Sequence, residues 1–547
     1  MIKKSRVQKS LFTCLSIIFM LLASAAVTEP VAGGYNSTSS GADFSTAEIN
    51  TGNETAEGDL IDYSQIPVLK WVGPGKPGTY EEYKHSQPQA PLKVTPLPNI
   101  TQGKLIPPQA QPHLLFMVNS SLYASIEPQF SRYLTDAQSV GYEMEAYLYE
   151  SGTAEEVKSY IEQHSQNLTG CIFIGSIPSA WFEVENDYNE YGYAEFPCDL
   201  FYMDLDGTWE DTDSNGRYDS HTAGDGDEGP EIFVARIDAS TIPGDEPTLV
   251  NNYLERLHEY YNGTIRRTQY GLTYTEDDWV PYSYFKYDIS YAYDNYDAIW
   301  APDTSRDDYR DNRLANLTYE FIQLACHSSS SGHYFTRGGQ LSSDDVKNVP
   351  PRALLYNLFA CSACRFTDSN YLGGAYIFSD SDCALSVLGS TKTGSMLIFD
   401  KFYRPLGTGK CLGQAFKDWF DSLAPYSESE TYWHYGMCIL GDPLVTRTIR
   451  PLDDLVQVTT DPGSDYDPSI TQTDDGKVWV VWQSYRSGGN GIWYKTSSDG
   501  GATWSDASQI TTDPDYGYAP AIAQTDDGKI WVTFYSYESG NPDIWYR

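Results

Sequence analysis

Two short apolar stretches decide the fold of this chain: FIQLACH at residues 321–327 and LLYNLFAC at residues 354–361. Short apolar runs bounded by turn-forming residues are typical of buried strands. If the two strands are neighbours in a parallel sheet, His327 and Cys361 both emerge at its carboxyl edge. Open α/β sheets bind ligands at that edge, so the pattern predicts a functional site there.

A thiol and an imidazole at one sheet edge are the minimum set of groups for covalent acyl transfer. The imidazole of His327 acts as general base and then as acid, and the thiolate of Cys361 attacks a carbonyl carbon. The pattern therefore predicts a cysteine-type peptidase with a Cys-His dyad and a thioester intermediate. Cys364 is the fallback nucleophile and His333 the fallback base, because each lies close behind its counterpart in the sequence.

Cys361 and Cys364 also form a Cys-x-x-Cys motif, which allows other interpretations. A redox motif of this kind lies at a strand-to-helix turn of a thioredoxin fold, and a zinc site needs a second such pair. The sequence contains no second pair. We therefore favour Cys361 as a nucleophile, with a buried structural thiol as the alternative.

The two stretches resemble the motifs of the gingipain-like cysteine peptidases of the caspase-like clan. In that clan one hydrophobic block precedes His-Gly, and a later block precedes Ala-Cys, which Ala360 and Cys361 match. EIFVARI at residues 231–237 and LGDP at residues 440–443 resemble two further motifs of the family. The resemblance covers residues 113–445. It implies two caspase-like three-layer α/β subdomains and protein or peptide substrates.

The resemblance also implies an oxyanion hole made of backbone N–H groups. Those groups belong to Cys361 and Ser328, and Ser328 stands where the clan usually has glycine. A serine keeps the N–H group but restricts the backbone more than glycine does.

The pattern of apolar residues also predicts an α/β fold. Between residues 113 and 174, strand-like stretches alternate with stretches of helical spacing, and this β-α-β-α-β order is typical of a parallel sheet. The preceding residues are rich in Ser and Thr and then in Pro, a composition typical of unpacked chain. The predicted order is a signal peptide (1–27), a linker or propeptide (28–112), a first α/β subdomain (113–265), a catalytic α/β subdomain (266–450) and an all-β repeat module (455–547).

The first residues predict export. Basic residues up to Lys9 precede an apolar stretch at residues 11–27 that ends in small residues, which is typical of a secretory signal peptide. Only if this segment is retained do we expect a membrane anchor. Seven Asn-x-Ser/Thr sequons fit a secreted or cell-surface glycoprotein, where some of the cysteines are expected to pair. The net charge of −39 excludes nucleic acid as a natural partner, because the negative phosphates would be repelled by the negative surface of the protein.

The C-terminal residues repeat with a period of 52: TTDP at 459–462 recurs at 511–514, and TDDGK at 473–477 recurs at 525–529. A period near fifty with short alternating strands is typical of a β-propeller blade. SSDGGATW at residues 497–504 matches the Asp-box turn of sialidase-like propellers, which is structural in that family. We expect about two propeller-type repeats, fewer than a typical propeller needs, with glycans as a further candidate partner.

The stretch DTDSNGRYD at residues 211–219 has the spacing of an EF-hand-type calcium loop, with glycine at position six. The expected metal ligands are Asp211, Asp213, Asn215, Arg217 and Asp219. Position twelve is Thr222 rather than the usual glutamate. Candidates to replace that glutamate are Asp204, Asp206, Asp225 and Asp227. We predict structural calcium here, with a solvated acidic loop as the alternative.

Two functions are open at this point. The first is a secreted cysteine endopeptidase, which the positions of Cys361 and His327 at the ends of apolar blocks favour. The second is a non-catalytic cell-surface glycoprotein, in which a decayed peptidase fold and the repeats bind glycans or proteins. The replacement of glycine by Ser328 and the incomplete repeats are the features that favour the second.

Overall fold

The structure is a computed structural model. It describes residues 61–68, 71–87, 90–97, 112–189, 191–380, 383–447, 457–473, 476–486, 489–498, 503–511, 517–525 and 528–547. The predicted signal peptide at residues 1–27 and the sequons Asn36, Asn53 and Asn99 lie outside these ranges. None of the helices within these ranges is long and apolar enough to cross a membrane.

The strands before residue 350 are β1 (Lys93–Pro96), β2 (His113–Asn119), β3 (Glu143–Ser151), β4 (Leu168–Ile174), β5 (Trp181–Asp187), β6 (Gly192–Pro197), β7 (Thr208–Glu210), β8 (Ser220–Thr222), β9 (Phe233–Ile237), β10 (Gly271–Thr275), β11 (Tyr296–Trp300), β12 (Phe321–Ala325), β13 (His327–Ser329), β14 (Gly332–Phe335) and β15 (Gly339–Ser342). The later strands are β16 (Leu355–Phe359), β17 (Ser386–Ser390), β18 (Met437–Gly441), β19 (Asp465–Gln472), β20 (Val478–Ser484), β21 (Gly491–Ser497), β22 (Ser508–Gln509), β23 (Tyr518–Gln524), β24 (Ile530–Ser536) and β25 (Asp543–Tyr546).

The helices are α1 (Tyr80–Ser86), α2 (Ser120–Ser139), α3 (Ala154–Gln163), α4 (Leu200–Met203), α5 (Glu246–Tyr261), α6 (Tyr284–Tyr287), α7 (Arg306–Asp308), α8 (Ser343–Asn348), α9 (Leu372–Ile377), α10 (Asp400–Gly407), α11 (Leu412–Asp421) and α12 (Glu428–His434). Short 3-10 turns lie at Tyr63–Gln65, Asp277–Trp279 and Asp288–Tyr291, and a π-helical turn follows α7 at Tyr309–Leu314.

Eleven strands form one large sheet in the order β1-β3-β2-β4-β9-β18-β17-β16-β12-β10-β11. Neighbours from β3 to β18 are parallel, and so are neighbours from β17 to β11. Only β1 with β3 and β17 with β18 are antiparallel within this sheet. Strands such as β12 and β16 are buried along their whole length, as expected when both faces of a parallel sheet are covered.

The predicted α/β fold with a parallel-rich sheet is confirmed, but the two predicted subdomains share a single sheet. The strand β18 comes from the end of the second predicted subdomain and pairs in parallel with β9 of the first. On its other side β18 pairs with β17 in the antiparallel direction. The antiparallel pair β17–β18 joins two parallel half-sheets. The sequence carries no local signal for this arrangement, because the paired strands β9 and β18 are far apart in the chain.

Capping residues fix the start of one helix between residues 113 and 174. The Thr153 hydroxyl accepts the backbone N–H of Glu156, and the Glu156 carboxylate accepts that of Thr153 (3.3 and 3.0 Å). This reciprocal capping box starts α3 at Ala154.

The segment before residue 113 is packed where the structure describes it, although its composition predicts unpacked chain. The edge strand β1 pairs with β3, and α1 starts with its own capping box at Thr79. The rings of Tyr80 and Tyr83 lie 5.8 and 5.4 Å from that of Trp181. Aromatic side chains supply buried area, and this offsets the preference of the flanking prolines for extended, solvated chain.

The C-terminal repeats form two antiparallel sheets, β19-β20-β21-β22 and β23-β24-β25. Both copies carry a register irregularity at the same place, between Tyr466 and Ser469 and between Tyr518 and Ala521. A small core that includes Val481 and Val532 is shared by the two sheets. Within the described residues the strands form no closed propeller. Residues 499–502 of the Asp-box lie outside those residues.

Candidate active site

Strands β12 and β16 bring the two predicted catalytic residues to one edge of the sheet. The strands are parallel neighbours, with Ala325 opposite Phe359 in the register. Beyond this pair, the N–H of Cys326 donates to the carbonyl of Phe359 at 3.1 Å. His327 and Cys361 each follow two residues after the paired ends. They therefore leave the sheet at the same level, as the sequence predicts.

The imidazole of His327 is held by an acidic residue that the sequence analysis did not assign. Its Nε2 lies 2.7 Å from Oδ2 of Asp278, and its ring packs 4.3 Å from that of Trp279. Both residues belong to the short turn after β10, which is a parallel neighbour of β12. Their place beside His327 became evident only from the pairing of β10 with β12 in the structure.

The contact with Asp278 decides which nitrogen of His327 can act as a base. A carboxylate only accepts hydrogen bonds, so Nε2 must carry the proton. The other nitrogen, Nδ1, is buried and has no hydrogen-bond partner among the described residues. Burial lowers the pKa of His327, although the bond and the charge of Asp278 oppose this shift. A neutral imidazole with a vacant Nδ1 lone pair is what a general base requires.

Ser328 joins the two strand ends through its side chain. Its hydroxyl donates to the carbonyl of Cys361 at 2.6 Å, and the residue is 1% exposed. A glycine at this position would lack this bond. The serine therefore fixes the distance between the backbone of the histidine segment and that of the cysteine segment.

The thiol of Cys361 is half-buried, whereas the other seven cysteines of the described residues are buried. Burial raises the pKa of the Cys361 thiol, and the N–H of Gly394 and the ammonium of Lys392 act in the opposite direction. None of these cysteines forms a disulfide, so the expected pairing is not seen.

The two fallback residues lie inside the core. Cys364 is 0% exposed, and a side chain on Gly389 or Gly373 would meet its sulfur at 2.6 or 2.8 Å. His333 is also 0% exposed and lies between Cys326 (3.3 Å) and the hydroxyl of Tyr376 (2.8 Å). Burial lowers the pKa of His333 to about 3. The geometry therefore gives neither residue access to a substrate.

The acidic loop at residues 211–219 gathers a partner from outside itself. Glu183, Asp213 and Asp219 each offer a carboxylate oxygen, and these oxygens lie within 4.8 Å of one another. The Glu183 carboxylate also pairs with Arg217 (2.5 Å) and accepts from the amide of Asn215 (2.7 Å). Glu183 precedes the loop on β5, so spacing within the loop could not reveal it.

The remaining members of the loop and its expected substitutes are placed differently. The carboxylate of Asp211 accepts backbone N–H groups of Asn215 and Gly216 within the loop. Asp204 and Asp206 group with Glu231 instead, again within 4.8 Å. Oxygen-rich clusters of this kind suit hard cations such as calcium.

The N-terminal segment, described at residues 61–68 and 71–87, contacts loops around Cys361 and His327. The Tyr282 and Tyr191 hydroxyls donate to its backbone carbonyls at Gln65 and Val68. Further on, Arg365 donates to the carbonyl of Gly78 at 2.6 Å. A cavity of about 520 Å³ is lined by this segment on one side; on the other side lie Ser362, Lys392 and Asp187.

The chain is similar to a sequence family and to solved structures. The sequence model of peptidase family C25 matches residues 148–447, which is more than half of the chain. A solved structure described as "Structure of Protease" has a TM-score of 0.44 and 12% identity, over 79% of this chain and 96% of that chain. The endo-arabinase from Bacteroides thetaiotaomicron has a TM-score of 0.14 and 18% identity, over 17% of this chain and 34% of that chain. No curated protein matches.

Proposed function

Because this chain belongs to peptidase family C25, a family of cysteine peptidases, we propose that it is a secreted endopeptidase that uses Cys361 and His327. The equal register of β12 and β16 is the observation that carries this proposal. Export is supported by the basic and apolar residues at positions 1–27. The substrates are proteins or peptides, and the protein acts outside the cell or on its surface.

The proposed reaction proceeds through a thioester. Nδ1 of His327 takes the proton from Sγ of Cys361, and the thiolate attacks the peptide carbonyl carbon. Backbone N–H groups of Cys361 and Ser328 stabilise the oxyanion. The C–N bond then breaks, and the departing amine takes the proton from His327. Water, activated by the same imidazole, hydrolyses the thioester and restores the thiol, while Asp278 keeps the imidazole oriented and stabilises its charged form.

A peptide probe with a thiol-reactive group tests this proposal directly. The probe should label the protein at Cys361, and cleavage of a denatured protein substrate should stop once labelling is complete. The second candidate, a non-catalytic surface glycoprotein, predicts neither labelling by the probe nor cleavage.

The N-terminal segment acts in this proposal as an inhibitory propeptide rather than a linker. Its contacts with Tyr282, Tyr191 and Arg365 involve loops that follow or flank the strands of the site. A substrate that approaches Cys361 over the same loops would have to displace it. The contact of Gly73 with the hairpin after His327 offers a way to test this.

Gly73→Ala is expected to increase the peptidase activity of the intact chain about tenfold. An added Cβ would lie 2.3 Å from the hydroxyl of Tyr334 and 3.1 Å from that of Ser329, so these side chains or the segment must shift, and we expect the segment to lift. Overpacking of this kind costs on the order of 1–3 kcal/mol, and tenfold corresponds to about 1.4 kcal/mol. The measurement is the initial rate of hydrolysis of a fluorogenic peptide.

Gly75→Ala is the matched control. Gly75 also has a positive φ (+87°), but no atom lies within 4 Å of an added Cβ. It therefore shares the backbone strain without the clash. If Gly73→Ala lowers the melting temperature and leaves activity at the level of Gly75→Ala, the segment is a structural linker.

The acidic loop is proposed to bind one structural calcium ion. The donors that fit are carboxylate oxygens of Asp213, Asp219 and Glu183, together with the loop residues Asp211, Asn215 and Arg217, the last through its backbone carbonyl. Without a cation these negative charges repel one another. Arg217 offsets part of this repulsion through its ion pair with Glu183.

Chelation of calcium is expected to lower the melting temperature of the protein. Binding to the folded state alone stabilises it by about 2.7 kcal/mol at a hundredfold excess over the dissociation constant. Asp213→Ala and Glu183→Gln should each remove most of the calcium response, and Asp225→Ala, outside the cluster, should retain it. A melting curve that responds to neither calcium nor chelator would make the segment an ordinary acidic loop.

We propose that the C-terminal repeats are propeller-type blades with structural Asp-box turns. The blades, rather than the turns, bind glycans or proteins. The matching irregularities of β19 and β23 support equivalent blades. The exposed aromatic side chains Trp531, Trp545 and Tyr546 support a binding surface, because aromatic faces pack on apolar ligand surfaces.

A further inference from the structure

A buried lysine lies beside the turn that carries Cys361 and takes part in no step of the proposed reaction. Lys392 follows β17 and is 3% exposed. Its ammonium donates to Asp187 at 3.0 Å and to the carbonyls of Thr393 and Tyr432 at 2.6 and 2.7 Å. All three of its donors are therefore satisfied. A lysine is rarely buried to this degree unless it is paired, so its position calls for a specific role.

The backbone around Lys392 is bonded to the turn that carries Cys361. The carbonyl of Lys392 accepts the N–H of Ser362 at 2.8 Å, and the carbonyl of Ser390 accepts that of Cys364 at 3.0 Å. Ser362 has a positive φ of 56°, a conformation that a serine adopts only when its surroundings impose it. The segment at residues 390–394 therefore fixes the conformation of the turn directly after the nucleophile.

The same segment directs a backbone donor at the sulfur. Gly394, two residues after Lys392, has a φ of +122°, and its N–H opposes the rise that burial causes in the pKa of the Cys361 thiol. An added Cβ at Gly394 would lie 2.6 Å from the carbonyl of Trp433, so only glycine fits. The carbonyls bonded by the ammonium of Lys392 belong to Thr393 and Tyr432, the residues adjacent to Gly394 and Trp433. The lysine thus joins the two segments that position this donor.

We propose that Lys392 is a positioning residue for catalysis: it holds the N–H of Gly394 against Cys361 and places a fixed positive charge beside the thiolate. The nucleophile of a cysteine peptidase is the thiolate, and burial alone disfavours it. A cation and an N–H donor both favour the charged form of the thiol. Lys392 does not touch the substrate in this proposal, and it acts through Cys361. The inference rests on the proposed role of Cys361 as the nucleophile.

Several other groups face Cys361, and each has a defined effect on its ionisation. His327 approaches from the neighbouring strand, and its protonated form favours the thiolate. Asp187, the last residue of β5, and Tyr188, which follows it, disfavour the thiolate when they are negative, and so does Cys326, which directly follows β12. Lys392 and Asp187 therefore act on the thiol in opposite directions. This opposition distinguishes an electrostatic role from a merely structural one.

The test measures the pH dependence of iodoacetamide alkylation of Cys361 in the full chain, followed by mass spectrometry of the peptide that contains it. Lys392→Met should raise the apparent pKa of the thiol by about one unit, so alkylation below that pKa slows about tenfold. Asp187→Asn should lower the thiol pKa, because Lys392 is then uncompensated. Lys392→Arg keeps the charge and should restore most of the parent behaviour. Lys158→Met is the control, since Lys158 is also buried (7% exposed) but lies over the rings of Phe201 and Trp209, at 4.7 and 5.7 Å from their centroids.

The outcomes separate this inference from the proposed function. If Lys392→Met and Asp187→Asn both leave the thiol pKa at the parent value, or shift it in the same direction, the electrostatic role is wrong. If the parent loses no peptidase activity when Cys361 is fully alkylated, the proposed function fails instead. Should Lys392→Met not fold, the opposite shift expected for Asp187→Asn still decides the question.

Discussion

Cys361→Ala is expected to abolish peptide-bond hydrolysis and labelling by a thiol-reactive peptide probe. Without the sulfur no thioester can form, and removal of a catalytic nucleophile costs on the order of 10⁶-fold in kcat in the best-studied serine peptidase. The melting temperature should change little, because Cys361 is half-buried at the sheet edge. Turnover of a fluorogenic peptide and intact-mass analysis of the probe adduct provide the two measurements.

Cys364→Ala is the matched control for this result, because it removes the same atom from the same motif. Its sulfur packs in the core against Gly373 and Gly389. We therefore expect a lower melting temperature and nearly full labelling. Labelling that survives in Cys361→Ala and disappears in Cys364→Ala would reverse the assignment.

His327→Ala is expected to lower kcat by at least about 10²-fold, the usual scale for a general base that also activates the nucleophile. The acid limb of the rate profile should lie below the ordinary pKa of histidine, because burial lowers the pKa of His327. A base with a lowered pKa keeps its neutral, active form to lower pH and loses it as the pH falls through that value. The measurements are kcat for the parent and the variant, and kcat/KM against pH for the parent, because kcat/KM reports the pKa values of the free enzyme.

His333→Ala provides the contrast for His327→Ala. The variant loses a buried imidazole that is bonded to Cys326 and Tyr376, so it should lower the melting temperature and spare kcat per folded molecule. Greater damage to kcat from His333→Ala than from His327→Ala would show that the strand-end argument identified the wrong histidine.

The sequence predicted the sheet edge because its information is local. A buried strand is a continuous apolar run, and its register with a parallel neighbour follows from where each run ends. His327 and Cys361 each stand two residues beyond the paired end of their strand, so a pattern of a few residues was enough. The resemblance to the family rests on the same runs and on the motifs at residues 231–237 and 440–443, whereas the α/β class was predicted from the alternation at residues 113–174.

The supporting residues were missed because their information is not local. Asp278 lies on a 3-10 turn rather than at the end of an apolar run, and the sequence does not distinguish it from the other acidic residues, 75 in all. Lys392 gains its role only from contacts with Asp187 and Tyr432, which are far from it in the sequence. Glu183 is separated from the acidic loop by β6 and α4. Each residue needed tertiary structure to be identified.

The antiparallel seam between β17 and β18 has a consequence for biosynthesis. During translation or export, the N-terminal half-sheet ends at β9 and the second half-sheet ends at β17, and both edges present unpaired backbone until residues 437–441 arrive. Open strand edges pair with the strands of other chains. A nascent chain of this kind is therefore prone to aggregation, and chaperones are needed to protect it. Pairing between β9 and β18 also closes a long loop, which slows folding. The sheet that carries the thiol and the imidazole is therefore completed only after residues 437–441 have left the ribosome.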